Sequence, residues 1–277
     1  MYKALDPDCI GHHVSIEEVA EELSLNGFEG VWFNIRREYP KDISRTRKIL
    51  DQYGLKAAGF ALPVEYRNDE TTYEQDMENL RNYAKYASEL GAHRCITWII
   101  PYSDTLSYDE NFELHKIRLK RAAEILAEFD ISLGLEFLGP PKLRKGVKNE
   151  FIHTLDGMLE LCRAIGTDNI GLLLDVWHWD LAGQKLADFS KIENESWIVA
   201  AHIMDAPSGI APEEQEDLIR KLPGDTGVLK IHDFFKGLRS LNYSGPVIPE
   251  PFVADLADLP FREACAIVKK AVDSVWE

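Results

Sequence analysis

Four short apolar runs in this sequence each end in a residue that can hold a metal ion or move a proton. They are Leu133-Gly134-Leu135-Glu136, Gly171-Leu172-Leu173-Leu174-Asp175, Ile198-Val199-Ala200-Ala201-His202 and Pro246-Val247-Ile248-Pro249-Glu250. Such a run is what a strand buried on both faces looks like. A carboxylate has no place inside one unless it is paired or holds a metal. At the C-terminal end of the strand it can point into a cleft instead. Three carboxylates around one cleft raise one another's pKa, and a divalent cation removes that penalty. An oxygen-rich set with one imidazole suits Mn²⁺ best, with Mg²⁺, Co²⁺ or Zn²⁺ as alternatives. Four protein ligands leave two positions open on an octahedral ion, enough to chelate adjacent oxygens of an α-hydroxy ketone. A metal so placed polarises the carbonyl and stabilises an enediolate. A carboxylate beside the α-carbon can then move the proton.

A single strand-end acid is more often a loop cap or an ion-pair partner; four on successive strands favour a shared site. Other residues carry two readings. His178 either stacks between Trp177 and Trp179 or touches a substrate. Lys142, Arg144, Lys145 and Lys148 read as a solvated loop, with substrate contact as the alternative. Trp32, Trp98, Phe137 and Phe252 lie near strand ends and either wall the pocket or fill the barrel core. His12 and His13 near the first strand end are candidates for lining the pocket.

The elements that must position these residues alternate short apolar strands with amphipathic helices. Strands are expected within Tyr2 to His12 and at Gly30–Ile35, Lys56–Leu62, Arg94–Ile100, Ser132–Leu138, Asn169–Trp177, Trp197–Met204 and Pro246–Phe252. Helices are expected from Ser15, a capping box with Glu18, to Asn26-Gly27, and over Asp42–Tyr53, closed by Gly54. Further helices run from a Thr71 or Thr72 cap to Leu90, over Asn111–Phe129, and from a Thr154 cap to Ile165. The last three are Gln184–Ile192, Ile231–Leu241 and Pro260–Val275. Eight strand–helix units of about 35 residues have the rhythm of a single (β/α)₈ barrel domain over residues 1–277. No glycine-rich phosphate turn follows an early strand, which argues against a doubly wound open sheet. In such barrels the C-terminal strand ends carry the chemistry, and all four candidate ligands fall there.

The formal net charge of −16 repels a phosphate backbone, so nucleic acid is not an expected partner. Hydrophobic residues make up 45%, enough for a full core. No apolar run reaches the ~18 residues a membrane span needs, and the first residues lack a signal-peptide pattern. The four cysteines, Cys9, Cys95, Cys162 and Cys265, form no CxxC pair. They read as small core residues of a reduced, cytoplasmic protein.

The stretches LGLEFLG (133–139), NIGLLLDVWHW (169–179), AAHIMDAP (200–207), LIRKLPGDTG (218–227) and VIPEPF (247–252) resemble the xylose isomerase-like TIM barrel superfamily. The resemblance is to its sugar-phosphate isomerase/epimerase branch, and motif order and length are most similar to the inosose (2-keto-myo-inositol) isomerases. It implies a metal held by Glu136, Asp175, His202 and Glu250, with Glu136 and Glu250 as the acid/base pair on opposite faces of the enediolate. It further implies substrate contacts from His178 and Arg220, and Asp205 completing an HxxD pattern among the substrate-binding residues; Trp98 joins these candidates from its place near a strand end. The expected partner is a small keto-sugar or keto-inositol, and relatives often form homo-oligomers. The expected activity is isomerisation or epimerisation, with metal-dependent loss of a leaving group from a 3-keto-glycoside as the alternative. A DNA-repair endonuclease of the related apurinic-site branch is disfavoured by charge, and a non-catalytic barrel by the intact ligand set. The segments Asp6–His13, Asn68–Tyr73 and Lys142–Glu150 match nothing in these relatives.

Overall fold

Eight parallel strands close on themselves in a computed structural model that describes residues 1–67 and 69–276. In chain order they are β1 (Tyr2–Leu5), β2 (Gly30–Phe33), β3 (Lys56–Ala61), β4 (Arg94–Ile99), β5 (Ser132–Phe137), β6 (Ile170–Asp175), β7 (Ile198–Ile203) and β8 (Pro246–Pro249). Each strand pairs with its sequence neighbours, and β1 closes the barrel against β8 with Tyr2 opposite Pro246 and Lys3 opposite Val247. The principal helices are α1 (Ile16–Leu25), α2 (Ile35–Glu38), α3 (Ile43–Tyr53), α4 (Glu70–Leu90), α5 (Tyr108–Ala127), α6 (Leu155–Ile165), α7 (Val176–Leu181), α8 (Ile231–Ser240) and α9 (Phe261–Val275). This is the expected (β/α)₈ barrel.

Alternation along the strands sorts side chains into a helix-facing and an inward-facing set. The helix-facing set builds the large apolar layer under the helices. The inward set forms a second cluster at mid-barrel, with Ala4, Trp32, Ala58, Ile96, Leu173, Ala200 and Ile248 packed across the axis. Trp32 has room because residue 59 is glycine: a Cβ there would lie 2.3 Å from the indole ring. Two residues further along β1, β4, β6, β7 and β8, the same alternation brings up Asp6, Trp98, Asp175, His202 and Glu250. A packed apolar floor thus supports a polar rim at the C-terminal end.

Several boundaries differ from the expected ones. Strand β6 stops at Asp175 instead of running to Trp177, because the Asp175 carboxylate accepts from the Trp177 and His178 N–H groups (2.6 and 3.3 Å) and turns the chain into α7. The helix expected at Gln184–Ile192 is only a 3₁₀ stretch, Leu186–Lys191. Helix α5 begins at Tyr108, three residues early, on a Ser107–Glu110 capping box. Asp69, not a threonine, caps α4; the unmatched segment before it begins at Asn68, which lies outside the described residues. The Ser15–Glu18 box is in place at α1. Cys95, Cys162 and Cys265 are buried and Cys9 partly so, all four as free thiols. Among the described residues no helix is long and apolar enough to cross a membrane.

Candidate functional site

The strand-end acids converge at the C-terminal mouth of the barrel. Ligand atoms of Asp175, His202 and Glu250 lie within 4.8 Å of one another, and so do those of Glu136, Asp175 and His178. The two sets share Asp175, which sits on β6 between β5 and β7. Each position follows from register: Asp175 pairs with His202 across β6 and β7, and Glu136 with Trp98 across β5 and β4. Glu250 lies just past β8, its N–H bonded to the Ile203 carbonyl (3.1 Å).

Among the described residues, two of the candidate ligand atoms are buried here without a hydrogen-bond partner, Glu136 Oε1 and His202 Nδ1. His202 Nδ1 lies 3.5 Å from Glu250 Oε1 and 3.8 Å from Asp175 Oδ2. Buried polar atoms are otherwise almost always paired. An orphan carboxylate oxygen and an orphan imidazole nitrogen facing further carboxylates are what a divalent cation needs, so the residues present fit one.

Arg220 runs through the cluster from the long connection between β7 and α8. Its guanidinium donates to Glu250 Oε2 (2.6 Å), Asp175 Oδ2 (3.3 Å) and Asp217 Oδ1 (3.2 Å), and it stacks near Phe252. These partners hold it charged despite burial. The carboxyls respond unequally. Burial pushes Glu136 well above its ordinary range, with Asp175 and Glu250 adding to it. Burial also raises Asp175, to about 6, against the pull of Arg220. For Glu250, burial is outweighed by His202 and Arg220, which hold it down at about 2. With no cation between them, Glu250 and Asp175 raise His202 against the opposing effect of burial; a bound divalent ion would take the place of that proton. Burial and Arg220 keep His178 neutral. The Gly139 N–H donates to His178 Nδ1 (3.3 Å), while Nε2 faces Arg220 Nη2 (3.3 Å) and lies 3.8 Å from Asp217 Oδ1. The close approach requires glycine, since a Cβ at residue 139 would lie 2.0 Å from the His178 carbonyl oxygen.

A cavity of about 230 Å³ opens above these groups, lined by Trp98, Glu136, His178, Arg220, Glu250 and Phe252, with Asp217 at its edge. Other expectations resolve differently. Asp205 is fully buried outside this cavity. Its two oxygens accept from five backbone N–H groups, those of Ala206, Thr226, Gly227, Val228 and Leu229 (2.7–3.2 Å). It organises the connection that carries Arg220, which corrects the expected substrate contact. Trp32 and Phe137 are core. His12 bonds the Leu256 carbonyl (3.0 Å) and packs edge-on against Phe261, while His13 pairs with Asp8 (3.2 Å); neither lines the cavity. Lys142 and Lys145 reach Glu216 and Glu214 (2.5 and 3.5 Å), so the basic loop ties two surface loops together.

Two rim residues escaped the sequence reading. Asp6 ends the run Tyr2-Lys3-Ala4-Leu5, the same figure as the other four with a lysine interrupting it. Burial and the neighbouring Asp8 push its carboxyl up to about 7. Asp217 lies in the irregular connection, where no periodicity could have marked it.

The family model for the xylose isomerase-like TIM barrel matches residues 18–271. The chain belongs to that family. The inosose isomerase of Halalkalibacterium halodurans is 26% identical over 254 residues, covering 87% of this chain and 82% of that one. A xylose isomerase domain protein from Alicyclobacillus acidocaldarius superposes with a TM-score of 0.86 at 24% identity, covering 99% of this chain and 98% of that one. The IolI protein, solved with a bound zinc atom, superposes with a TM-score of 0.83 at 17% identity, again over 99% and 98%.

Proposed function

We propose that this xylose isomerase-like barrel, acting as one domain over residues 1–277, is a divalent-metal-dependent isomerase or epimerase of a keto-sugar or keto-inositol. The observation that carries the reading is the pair of buried, unpartnered atoms, Glu136 Oε1 and His202 Nδ1, facing Asp175 and Glu250 at the barrel mouth. The inosose isomerase relative and the zinc-bound IolI protein support the substrate class and the metal. Glu136, Asp175, His202 and Glu250 would hold the ion. Their oxygen-rich set favours Mn²⁺, with Mg²⁺, Co²⁺ or Zn²⁺ as substitutes. When bound, the ion would polarise a substrate carbonyl and neutralise the carboxylates.

The chain's own residues then divide the work. Glu250, held ionised by His202 and Arg220, is ready to take a proton from the α-carbon. Glu136, whose carboxyl is raised by burial and by Asp175 and Glu250, is placed to give one. Two carboxyls pushed in opposite directions are how one fold supplies an acid and a base together. Arg220 fixes Glu250 through Oε2 and Asp175 through Oδ2, and its Nη2 lies against His178 Nε2 and Asp217 at the cavity. Trp98 and Phe252 wall the cavity and limit water around the enediolate.

The test is proton NMR in D₂O with manganese-loaded protein and, separately, 2-keto-myo-inositol, common ketohexoses and a 3-keto-glucoside. Deuterium at the carbon beside the carbonyl, with a rearranged ring, is the expected result. Release of the aglycone or of water with an enone would replace the reading by a lyase on the same enediolate. Silence across the panel with metal bound would overturn the substrate class.

A further inference from the structure

Trp98 lines the cavity with 45% of its surface open, the one exposed tryptophan among the described residues. It follows Ile96 on the inward face of β4 and stands level with Glu136 across β4 and β5. An exposed side chain with nothing behind it changes rotamer within nanoseconds. Here the segment after β3 closes over the indole. The guanidinium carbon of Arg67 lies 4.5 Å from the centre of the Trp98 ring and 4.9 Å from that of Tyr66. Arg67 Nη1 and the Tyr66 hydroxyl both donate to the Trp98 carbonyl (3.1 and 2.6 Å). Glu65 fixes the guanidinium in turn, accepting from Nε at Oε1 and from Nη2 at Oε2 (2.8 and 2.9 Å). The Glu65 N–H is anchored on Asp76 Oδ2 (2.8 Å), and the Tyr66 carbonyl on Arg118 Nη1 (2.8 Å). Arg67 itself does not line the cavity. The indole is therefore clamped away from the cavity and offers it the ring surface that Arg67 leaves free.

We infer that Arg67 is a positioning residue for substrate binding: it holds the Trp98 indole as a fixed platform on which the face of the substrate ring rests beside Glu136. The inference rests on the proposed reading of the site and adds to it a residue outside the cavity. A cyclic polyol carries its hydroxyls at the edge and C–H groups on its faces. The carboxyls, His178 and Arg220 can engage the edge, which leaves a face for the apolar wall. Trp98 is the broadest surface of that wall, and Phe252, the other aromatic ring there, is already stacked on Arg220. A platform helps only if it is in place beforehand, because ordering a loose side chain on binding costs rotamer entropy. A cation over an indole holds it most firmly when desolvated, and the Arg67 side chain is only 14% exposed. A guanidinium is suited to the task because its plane can stack on the ring while its fork grips a carboxylate.

The experiment has two readouts, on wild type, Arg67→Met, Arg67→Lys, Trp98→Ala and the Arg67→Met, Trp98→Ala double variant. Time-resolved fluorescence anisotropy of magnesium-loaded protein, taken as the difference from the matching Trp98→Phe protein, follows that indole alone. Calorimetry and deuterium-exchange kinetics of manganese-loaded protein with 2-keto-myo-inositol and D-fructose follow the ligand. Arg67→Met keeps an apolar stem and removes the guanidinium. It should lower the residual anisotropy of Trp98 and weaken the ligand by roughly three- to tenfold, the scale of one aromatic contact. The loss should appear in KM more than in kcat, as for a contact made equally before and during the reaction. Arg67→Lys keeps a cation but loses the fork, and should recover part of both effects. In the Trp98→Ala background Arg67→Met should cost little more, because Arg67 acts through the indole. Unchanged Trp98 anisotropy in Arg67→Met overturns the inference. So does an unchanged dissociation constant, or full additivity in the double variant. Coupled binding losses without any deuterium exchange in wild type would sink the isomerase reading and leave Arg67 in its role. Exchange by Arg67→Met at the wild-type KM would do the reverse, and a wild type that binds neither ligand overturns both.

Discussion

Glu136 and Glu250 are the same residue type on the same rim, and their surroundings drive them apart. Glu250 has a guanidinium on one oxygen and an imidazole near the other; Glu136 has an oxygen with no partner at all. Exchanging Glu136 for glutamine removes one proposed ligand and one proton carrier without changing size. Deuterium incorporation into 2-keto-myo-inositol by Glu136→Gln should therefore fall by about 10²-fold or more, with an unchanged circular dichroism spectrum. Turnover at the wild-type rate would show that the site has been misassigned. The residues that were legible in the sequence had one thing in common: an apolar run too buried to contain an acid, ending in one. Asp6 carries the same figure, but Lys3 breaks its run, because the outward face of β1 meets Asp273 and the Trp276 ring. Asp205 was misread for the opposite reason. Its spacing from His202 fits a functional pattern, but the carboxylate turns away from the mouth to gather backbone donors.

At the scale of the element, the boundaries that moved were those set by caps. The text Val176-Trp177-His178-Trp179 is aromatic and β-branched, and by propensity alone it continues a strand. One carboxylate oxygen of Asp175 bonding two N–H groups outweighs that propensity, and it places His178 on a helical turn above the cavity. The connection after β7 is the larger case. It has almost no regular structure, so periodicity is silent about it, yet it delivers Asp217 and Arg220 to the site. Its order depends on Asp205, whose side chain gathers five N–H groups and whose backbone pairs with Lys221, the residue after Arg220. Replacing Asp205 with alanine leaves those buried donors unpaired, at a cost of at least about 3 kcal/mol given ~1–3 kcal/mol for each unsatisfied group. Urea unfolding of Asp205→Ala should show that loss, together with weakened divalent-metal binding by calorimetry because Arg220 no longer fixes Glu250. Unchanged unfolding would mean that the connection is held by other contacts.

At the scale of the whole molecule, the barrel was legible because both of its repeating constraints leave marks in sequence. Strands buried on two faces become short apolar runs, and helices covering them on one face become periodic. What leaves no such mark is a polar residue buried away from the site. His115 lies on the inner face of α5, where its neighbours suggest only a helix surface. Its Nδ1 donates to the Asn111 carbonyl (2.8 Å), and its ring packs against Tyr66 and Phe151. Nε2 is buried without a partner, so a second proton there would be unsolvated. Burial, aided by the Arg67 and Arg118 charges against the pull of the Asn111 carbonyl, brings this histidine down to about 4. In the unfolded chain it titrates near 6.5. Between those values the unfolded state binds a proton that the folded state refuses, so acid favours unfolding. The stability this ring confers is complete above about pH 6.5 and is lost as pH falls toward about 4. At 1.36 kcal/mol per pKa unit the loss amounts to about 3 kcal/mol. Urea unfolding of wild type and His115→Gln at pH 7 and pH 4.5 isolates it, since every other titrating group is common to both proteins. The variant should lose less stability than wild type between the two pH values by about 2 to 3 kcal/mol. Equal losses would mean that the folded protein admits the proton, and that the aromatic nest around His115 opens to water before the barrel does.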